Sequence, residues 1–385
     1  MLKILSIKNF KSLVDIELNF SNFNLVTGTN SSGKSSLLQS LLVFTQRDEK
    51  DLLNGKAVSL GTIKNVVNEN TDKYGCSNIK VLCDDNQEYE VEFNKIDGVK
   101  CLTNNINSHL YEKDIFYINA NRSSVRDTYS KNIYNNSILG TNGEYTFDYY
   151  LEKKEKRFVE KYYEALLGFN EKPVYESVVN YWLEKLTGYK VEVNDIDNTN
   201  ILQVSYYKGD LNNNTIKYRP QHVGTGVSYI LEQLIISILS KEGDVIIVEN
   251  PELHLHPHAQ NQLAAFYFWL SENGRQIIIE THSDHFFNAV RVKKASNPHD
   301  KTKKVFFFYQ EGDETKVLDV EMKELGIISN MRPDLFDQFS NDLGLMVQPI
   351  HSSGTDYTIN IDDSELSLEE FEELRLMFND ILEED

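Results

Sequence analysis

The chain has 385 residues and a formal net charge of −20, with 40% hydrophobic and 25% charged residues. This composition is that of a globular protein and excludes a disordered or fibrous chain. The length allows two or three domains, or one large core with insertions. The acidic excess argues against a protein that coats nucleic acid by bulk electrostatic attraction.

No apolar run approaches the length of a membrane span. Residues 1–7 are too short and too alternating for a signal peptide, and they predict a first strand instead. We therefore expect a cytoplasmic protein without membrane contact. Cys76, Cys83 and Cys101 have neither C-x-x-C spacing nor an even count. They are expected to be buried, apolar thiols rather than zinc ligands or disulfides.

The charge is unevenly distributed along the chain. Residues 361–385 hold eleven acidic side chains against the single Arg375, which is half of the acidic excess. The basic residues form two clusters, Lys153, Lys154, Lys156 and Arg157, and then Arg291, Lys293, Lys294, Lys301, Lys303 and Lys304. Either cluster has the charge for contact with DNA phosphates, but a solvated helix face is the simpler interpretation.

The first part of the chain predicts a phosphate-binding loop. Strands at residues 2–7 and 14–20 lead into a short buried strand at 23–27. The next eight residues, Gly28-Thr29-Asn30-Ser31-Ser32-Gly33-Lys34-Ser35, match the pattern G-x-x-x-x-G-K-[ST], and an apolar helix follows. In such a P-loop, backbone N–H groups and the helix N-terminus face a phosphate.

The P-loop pattern assigns a role to each of its polar residues. Lys34 would reach the β- and γ-phosphates of a bound nucleotide, and the Ser35 hydroxyl would bind Mg²⁺, which prefers oxygen ligands. The predicted phosphate contacts are Asn30, Ser31, Ser32, Gly33, Lys34, Ser35 and Ser36.

Short strand-like runs follow at residues 56–60, 79–82, 88–93 and 114–118. In the third run every second residue is apolar, namely Tyr89, Val91 and Phe93, which predicts a half-buried antiparallel strand. The next four residues, Asn94-Lys95-Ile96-Asp97, match the N-K-x-D motif of GTPases. We interpret them as a hairpin turn, because Gly98 follows and no D-x-x-G element lies between them and the P-loop.

Between residues 145 and 188 the apolar positions recur every three to four residues, which predicts helices. The residues with this spacing are Phe147, Tyr150, Leu151, Phe158, Tyr162, Leu166, Val174, Val178, Trp182 and Leu186. An aromatic stripe of this kind is typical of a core rather than of a ligand platform. Strands are predicted again at 189–193, 202–207 and 215–218, where the chain would return to the nucleotide-binding lobe.

A second anion-binding arrangement is predicted where His222-Val223-Gly224-Thr225-Gly226-Val227-Ser228 opens an apolar helix. Small residues at Gly224 and Gly226 would let a phosphate approach the helix N-terminus. Ser228 would cap the helix or donate a hydrogen bond to a phosphate oxygen.

Residues 244–249 predict a buried parallel strand that ends in Glu249, as a Walker B element requires. Glu249 would hold Mg²⁺ through water. A second apolar strand, at 276–280, is followed by Thr281 and His282. This position puts His282 at the mouth of the sheet, within reach of a γ-phosphate.

Three histidines, His254, His256 and His258, resemble a metal-binding tract. No nearby cysteine or further ligand completes a zinc set, so we interpret the tract as a loop that enters a helix near Pro257.

With these motifs in order, the sequence resembles the ABC-type ATPases of the RecF, SMC and OLD kind. It is most similar to short AAA-family ATPases that have an E-N-P-E Walker B element and a small C-terminal domain of unknown function. The residues that carry the resemblance are the P-loop at 28–35, the signature-like turn at 224–228, the Walker B run at 249–257 and the switch-histidine run at 280–285. The fold expected is α/β: a P-loop domain with a central mixed or parallel sheet, an antiparallel β subdomain and a helical insertion.

The resemblance implies a homodimer or higher homo-oligomer that binds ATP and Mg²⁺. ATP would lie between the P-loop of one subunit and the signature-like turn of the other. Ser35 and Glu249 would be the metal ligands, and Glu249, Glu252 and His282 the catalytic residues. The slot of the catalytic glutamate holds Asn250, which cannot accept a proton. Hydrolysis is therefore expected to be slow, or Glu249 or Glu252 acts as base.

The expected domains are an N-terminal ATPase lobe (1–144), a helical insertion with return strands (145–212), a C-terminal ATPase lobe (213–325) and a small acidic segment (326–385). Ser367 and Glu370 form a capping box before an amphipathic helix in the last segment. This segment has neither the length nor the clustered acids and glycines of the nuclease domain in OLD proteins. We therefore expect the chain not to cut nucleic acid itself.

The resemblance favours a nucleotide-controlled switch for a separate effector, such as a nuclease in anti-phage defence. Two alternatives stay open. One is a RecF-like repair ATPase that clamps DNA, and the other is a scaffold that binds ATP without hydrolysing it.

Overall fold

The computed structural model describes residues 1–71, 75–122, 125–133, 137–140, 142–158, 161–167, 172–212, 214–297, 299–332 and 334–336, without the side chains of residues 85, 161 and 164. These residues belong to one compact unit, Met1–Asp337. In this part of the chain no helix is both long and apolar enough to span a membrane. The predicted helix of the acidic segment lies outside the described residues. The division of the chain at residues 144, 212 and 325 stays a prediction.

The strands, in chain order, are β1 (Leu2–Phe10), β2 (Leu13–Asn19), β3 (Phe23–Gly28), β4 (Cys76–Cys83), β5 (Glu88–Asn94), β6 (Gly98–Asn104), β7 (Ile115–Ile118), β8 (Thr128–Ser130), β9 (Lys190–Asp195), β10 (Ile201–Tyr207), β11 (Val245–Glu249), β12 (Gln276–Glu280), β13 (Lys303–Glu311) and β14 (Glu314–Asp319). The α-helices are α1 (Lys34–Thr45), α2 (Thr146–Lys153), α3 (Lys161–Leu167), α4 (Tyr175–Thr187), α5 (Thr225–Leu239), α6 (Pro257–Glu272) and α7 (Asp284–Ser296).

A six-stranded sheet in the order β14-β13-β3-β12-β11-β7 forms the centre of the molecule. Strands β13, β3, β12, β11 and β7 run parallel, and β14 pairs antiparallel with β13 at one edge. The four parallel strands other than β13 are short and almost entirely buried, as is typical of strands that are covered on both faces. The expected mixed, largely parallel central sheet is therefore confirmed.

Each face of this sheet is covered by its own hydrophobic core. One core packs α1 between the central sheet and a five-stranded antiparallel sheet of order β2-β1-β4-β5-β6. The other core contains residues of α2, α4, α5, α6 and α7 together with β9 and β10. The antiparallel subdomain and the helical layer predicted from the sequence are both present.

Several local predictions are borne out. Tyr89, Val91 and Phe93 are buried on one face of β5. The Asn94-Lys95-Ile96-Asp97 run is the turn between β5 and β6, in which the Asn94 side chain accepts hydrogen bonds from the N–H groups of Ile96 and Asp97. The aromatic stripe of the helices lies in the core, with Phe147, Tyr150 and Trp182 buried.

Other local predictions are wrong. Residues 56–60 form bends with one isolated bridge, Asn54 to Ser59, because the Gln46 side chain binds this loop and takes up its backbone groups. Within the described range 214–297, the strand predicted at 215–218 is absent, and only one isolated bridge, Tyr206 to Tyr218, forms there. The strands predicted at 189–193 and 202–207 are β9 and β10, which pair with β8 in a separate three-stranded sheet. Cys83 is buried as expected, but Cys101 lies exposed on the outermost strand β6.

Candidate functional site

The loop between β3 and α1 has the backbone that a P-loop requires. Gly28 has φ +145° and Gly33 has φ +96°, conformations that favour glycine. A Cβ at Gly28 would lie 2.0 Å from the carbonyl oxygen of Phe308 on the neighbouring strand β13. A side chain at this position would therefore disrupt both the loop and the sheet pairing behind it.

The Lys34 side chain is folded under the loop. It is 3% exposed, and its ammonium group donates hydrogen bonds to the carbonyl oxygens of Gly28 (3.1 Å) and Thr29 (2.7 Å). Burial lowers the pKa of Lys34, and the charge of Glu280 opposes that effect. The Ser32 hydroxyl is buried and has no hydrogen-bond partner among the described residues. Asn30, Ser31 and Ser35 are exposed. The loop thus offers an anion both a buried cation and an unpaired hydroxyl.

Two carboxylates reach the same face of the central sheet beside this loop. In β11 and β12, Val245, Ile247 and Ile278 pack in the core that contains α1, while Ile246, Val248, Ile277 and Ile279 pack in the opposite core. Because side chains alternate along a strand, the next residues, Glu249 and Glu280, both point to the α1 face. The two glutamates also pair directly in the register of β11 with β12.

Glu280 is the last residue of β12 and lies two residues before the predicted switch histidine, His282. It is 2% exposed, and one of its oxygens, Oε1, accepts a hydrogen bond from the Ser35 hydroxyl at 3.3 Å. The other oxygen, Oε2, has no hydrogen-bond partner among the described residues. Burial and the negative charge of Glu249 raise the pKa of Glu280 to about 7, against the opposing effect of Lys34.

Glu249 is held in place from the neighbouring strand β7. Its Oε2 atom accepts hydrogen bonds from the Tyr117 hydroxyl (2.7 Å) and from the backbone N–H of Ala120 (3.1 Å). The buried guanidinium of Arg122 donates to the carbonyl oxygens of Glu249 (2.9 Å) and Asn250 (3.0 Å). Asn250 has a left-handed backbone with φ +44°. Arg122 therefore stabilises the sharp turn that follows the Walker B strand.

Glu252 and His282 lie together at the same edge of the central sheet, beyond the ends of β11 and β12. The backbone N–H of His282 donates to Oε1 of Glu252 at 2.9 Å, and Oε2 of Glu252 is buried without a partner in the described part of the chain. Partial burial and the charge of Lys34 lower the pKa of His282. The structure thus brings the predicted P-loop, Glu249, Glu252 and His282 together at the carboxyl ends of the parallel strands.

The signature-like turn differs in part from its prediction. Gly224 is the N-cap residue of α5, with no side-chain cap, and both Gly224 and Thr225 are exposed. Ser228 lies one turn into the helix, 6% exposed, and its hydroxyl is hydrogen-bonded to the Tyr206 hydroxyl at 2.9 Å. The prediction that Ser228 caps the helix is therefore wrong, because packing against β10 turns its side chain inward. A contact between Ser228 and a phosphate stays a prediction.

Gly226 has a structural reason for its lack of a side chain. A Cβ there would lie 2.7 Å from the carbonyl oxygen of His254, which follows the Walker B strand. The turn at 224–228 therefore approaches the Walker B loop of its own chain. Gly224 and Thr225 are the exposed residues at the start of this turn, so their backbone and the Thr225 hydroxyl are accessible from solvent.

The histidine tract has a structural role at the entry to α6. His256 is the N-cap residue, and its Nδ1 atom accepts a hydrogen bond from the N–H of His258 at 3.3 Å. The His254 ring packs edge-on against Tyr229 at 5.0 Å. Across the described ranges, no group of three or more His, Cys, Asp or Glu side chains is placed to hold a metal ion.

The basic clusters are largely compensated by neighbouring acids. Lys303 is buried and paired with Asp300 at 2.6 Å and Glu272 at 3.4 Å. In the other cluster, Lys153 and Lys156 share Glu152. This pairing weakens the case for either cluster as a DNA-binding surface.

The sequence analysis assigned no role in this site to Glu280, Tyr117 or Arg122. Glu280 carried a signal, because it ends an apolar strand in the same way as Glu249. Tyr117 and Arg122 carried none, since their contacts depend on β7 lying beside β11 in the sheet.

Comparison with known proteins supports the same class of fold. Residues 143–288 match a family profile described as "AAA domain, putative AbiEii toxin, Type IV TA system". The "Old nuclease" of Escherichia phage P2 is 43% identical over 63 residues, which is 15% of this chain and 11% of that protein. The chain thus matches only a small part of that curated relative.

Solved structures with a similar fold include two SMC heads. An SMC head bound to the C-terminal winged-helix domain of ScpA is 14% identical, with a TM-score of 0.54 over 83% of this chain and 98% of that chain. The SMC head from Pyrococcus furiosus, with an extended coiled coil and bound to the C-terminal domain of ScpA, is 13% identical, with a TM-score of 0.51 over 90% of this chain and 99% of that chain. Together with the P-loop and the acids at the sheet edge, these similarities show that the chain has the α/β P-loop fold of SMC ATPase heads, which is the ABC-type fold.

Proposed function

We propose that the chain binds ATP with Mg²⁺ at residues 28–36 and hydrolyses it slowly, as a nucleotide-controlled switch. The observation that carries this proposal is the P-loop itself, in which a buried lysine and an unpaired serine hydroxyl line a glycine-dependent turn. Lys34 would exchange its two carbonyl partners for phosphate oxygens, which are better partners for a buried ammonium group.

The site residues also fit a nucleotide-bound Mg²⁺. Ser35 and Glu249 offer a hydroxyl and a carboxylate, the hard oxygen ligands that this ion prefers, and bound Mg²⁺ would offset charge on the phosphate oxygens. The protein's own part is to fix these oxygens. Tyr117 and the N–H of Ala120 hold the Glu249 carboxylate, and Arg122 holds the turn behind it.

We assign the role of general base to Glu252. Asn250 has no group that can accept a proton, and Oε2 of Glu249 already accepts two hydrogen bonds. Oε2 of Glu252 has no partner in the described structure, while Oε1 is fixed by the N–H of His282. Glu252 is therefore the better placed acid to take a proton from an attacking water. The His282 side chain is exposed at the same rim, where it would contact the γ-phosphate.

The switch would involve two copies of the chain. Gly224 and Thr225 are exposed at the N-terminus of a 15-residue helix, so their N–H groups are available to a nucleotide held by a second copy. We further propose that the nucleotide state controls a separate effector, and that this effector is a nuclease, because of the partial similarity to the phage P2 protein. A role in anti-phage defence is part of this proposal.

A scaffold that holds ATP without hydrolysis is the second candidate, favoured by Asn250 in the place of a catalytic glutamate. Measurement of phosphate release by the wild type, Lys34→Ala and Glu252→Gln separates the two. The switch predicts slow release that both substitutions abolish, with ATP binding kept in Glu252→Gln. The scaffold predicts no release by any of the three.

The same assay with added duplex DNA tests the repair alternative. Stimulation by DNA that disappears at high salt would favour a DNA clamp over an effector switch. Sedimentation with a non-hydrolysable ATP analogue tests the dimer. We expect association of the wild type that is lost in Gly224→Glu, which puts a negative charge where a phosphate would approach.

A further inference from the structure

Glu280 is the first residue of the switch-histidine run at 280–285, but the resemblance gives it no role of its own. A carboxylate that is 98% shielded from water is costly unless a positive charge or several hydrogen bonds compensate it. Glu280 has one long hydrogen bond, from Ser35, and an unpartnered Oε2 atom in the described structure. The compensation for this buried acid is therefore incomplete.

Lys34 does not compensate the charge of Glu280 by a direct ion pair. The Lys34 ammonium donates to the carbonyl oxygens of Gly28 and Thr29, and no ion pair between Lys34 and Glu280 occurs among the described residues. Binding of a nucleotide would draw Lys34 further toward the phosphates. Glu280 would then face the added negative charge of those phosphates with even less compensation.

The surroundings of Glu280 are those of a ligand for a hard cation. It shares a sheet face and a register position with Glu249, and its Oε1 atom lies 3.3 Å from the Ser35 hydroxyl. Two carboxylates and a hydroxyl are too few to hold a metal alone, but Mg²⁺ is commonly bound by one or two carboxylates together with substrate phosphates. The Glu249 oxygen Oε2 is already occupied by Tyr117 and Ala120, whereas Oε2 of Glu280 is unoccupied.

We propose that Glu280 is a ligand, directly or through water, of the Mg²⁺ that enters with the nucleotide, and that it makes nucleotide binding depend on the divalent ion. This inference rests on the proposed function. Without Mg²⁺, the carboxylates of Glu249 and Glu280 repel the triphosphate. With Mg²⁺ they attract it, so the site selects the metal complex of ATP over free ATP.

The test measures the affinity for ATP by isothermal titration calorimetry, once with excess Mg²⁺ and once with EDTA. We expect the wild type to bind the Mg²⁺ complex at least tenfold more tightly than free ATP. In Glu280→Gln, which keeps the shape and can still bond to Ser35, we expect this ratio to fall at least tenfold, mainly because free ATP binds better. The matched control is Glu176→Gln, a half-buried acid on α4, and it should keep the wild-type ratio.

A second readout follows the metal itself. With ADP present, the affinity for Mn²⁺ measured by electron paramagnetic resonance should fall in Glu280→Gln and in Glu280→Asp, which keeps the charge but shortens the reach. Unchanged Mn²⁺ affinity together with an unchanged Mg²⁺ ratio would overturn the assignment of Glu280, while ATP binding by the wild type would leave the proposed function intact. Absence of ATP binding by the wild type under both conditions would overturn both.

Discussion

The burial of Glu280 at the end of β12 predicts an effect on the stability of the protein that can be measured without nucleotide. Glu280→Gln replaces the carboxyl group with a neutral group of the same shape. The carboxyl group has an ordinary pKa of 4.5 and a pKa of about 7 in the folded protein, raised by burial and by Glu249. Between these two values the folded chain keeps a proton that the unfolded chain has released, so the free energy of unfolding falls as the pH rises.

The size of the effect follows from the same two values. At 1.36 kcal/mol per pH unit, the charge on Glu280 costs the folded state about 3 kcal/mol once the pH exceeds 7, and almost nothing below 4.5. We therefore expect Glu280→Gln to unfold like the wild type near pH 4.5 and to be more stable by up to about 3 kcal/mol at pH 8.

Urea unfolding in the presence of EDTA, at pH 5 and pH 8, measures this difference. The exposed acid Glu311, changed to glutamine, provides the control and should show no pH-dependent gain. A Glu280→Gln protein that is no more stable than the wild type at pH 8 would refute the reasoning that this carboxylate is buried without adequate compensation.

Two further predictions concern the signature-like turn. Gly226→Ala should lower the free energy of unfolding by about 1–3 kcal/mol, because its Cβ would lie 2.7 Å from the carbonyl oxygen of His254, while Gly224→Ala, with no described atom within 4 Å, should not. Equal melting temperatures for the two variants would contradict this. Ser228→Ala should leave ATP affinity unchanged, because the Ser228 hydroxyl is bonded to Tyr206 inside the protein. Loss of the hydrogen bond between Ser228 and Tyr206 should lower the free energy of unfolding in urea by about 1 kcal/mol. A Ser228→Ala protein with lower ATP affinity and unchanged stability would instead identify Ser228 as a phosphate contact.

The parts of the fold that the sequence predicted are those with strong local signals. The P-loop joins a fixed pattern of glycines to a short apolar strand and an apolar helix, so 23–45 could be predicted almost to the residue. Strands β11 and β12 are continuous aliphatic runs bounded by polar residues, which is why their ends, and with them Glu249 and Glu280, were clear.

The parts that it did not predict depend on contacts between distant segments. Whether Ser228 faces a ligand or the core is decided by β10, whose Tyr206 packs against α5. The partner sheet of β9 and β10 could not be inferred either, since β8 is only three residues long and 60 residues away from β9. The importance of Glu280 became visible only when β12 was found between β3 and β11, beside Ser35.

Calorimetric titration of ATP with Mg²⁺ into the wild type and Lys34→Ala tests the central claim most directly. The account predicts one site per chain in the wild type and no detectable binding in Lys34→Ala, with both proteins folded to the same extent by circular dichroism. Equal ATP affinity in the two proteins would show that the loop between β3 and α1 is not the nucleotide site.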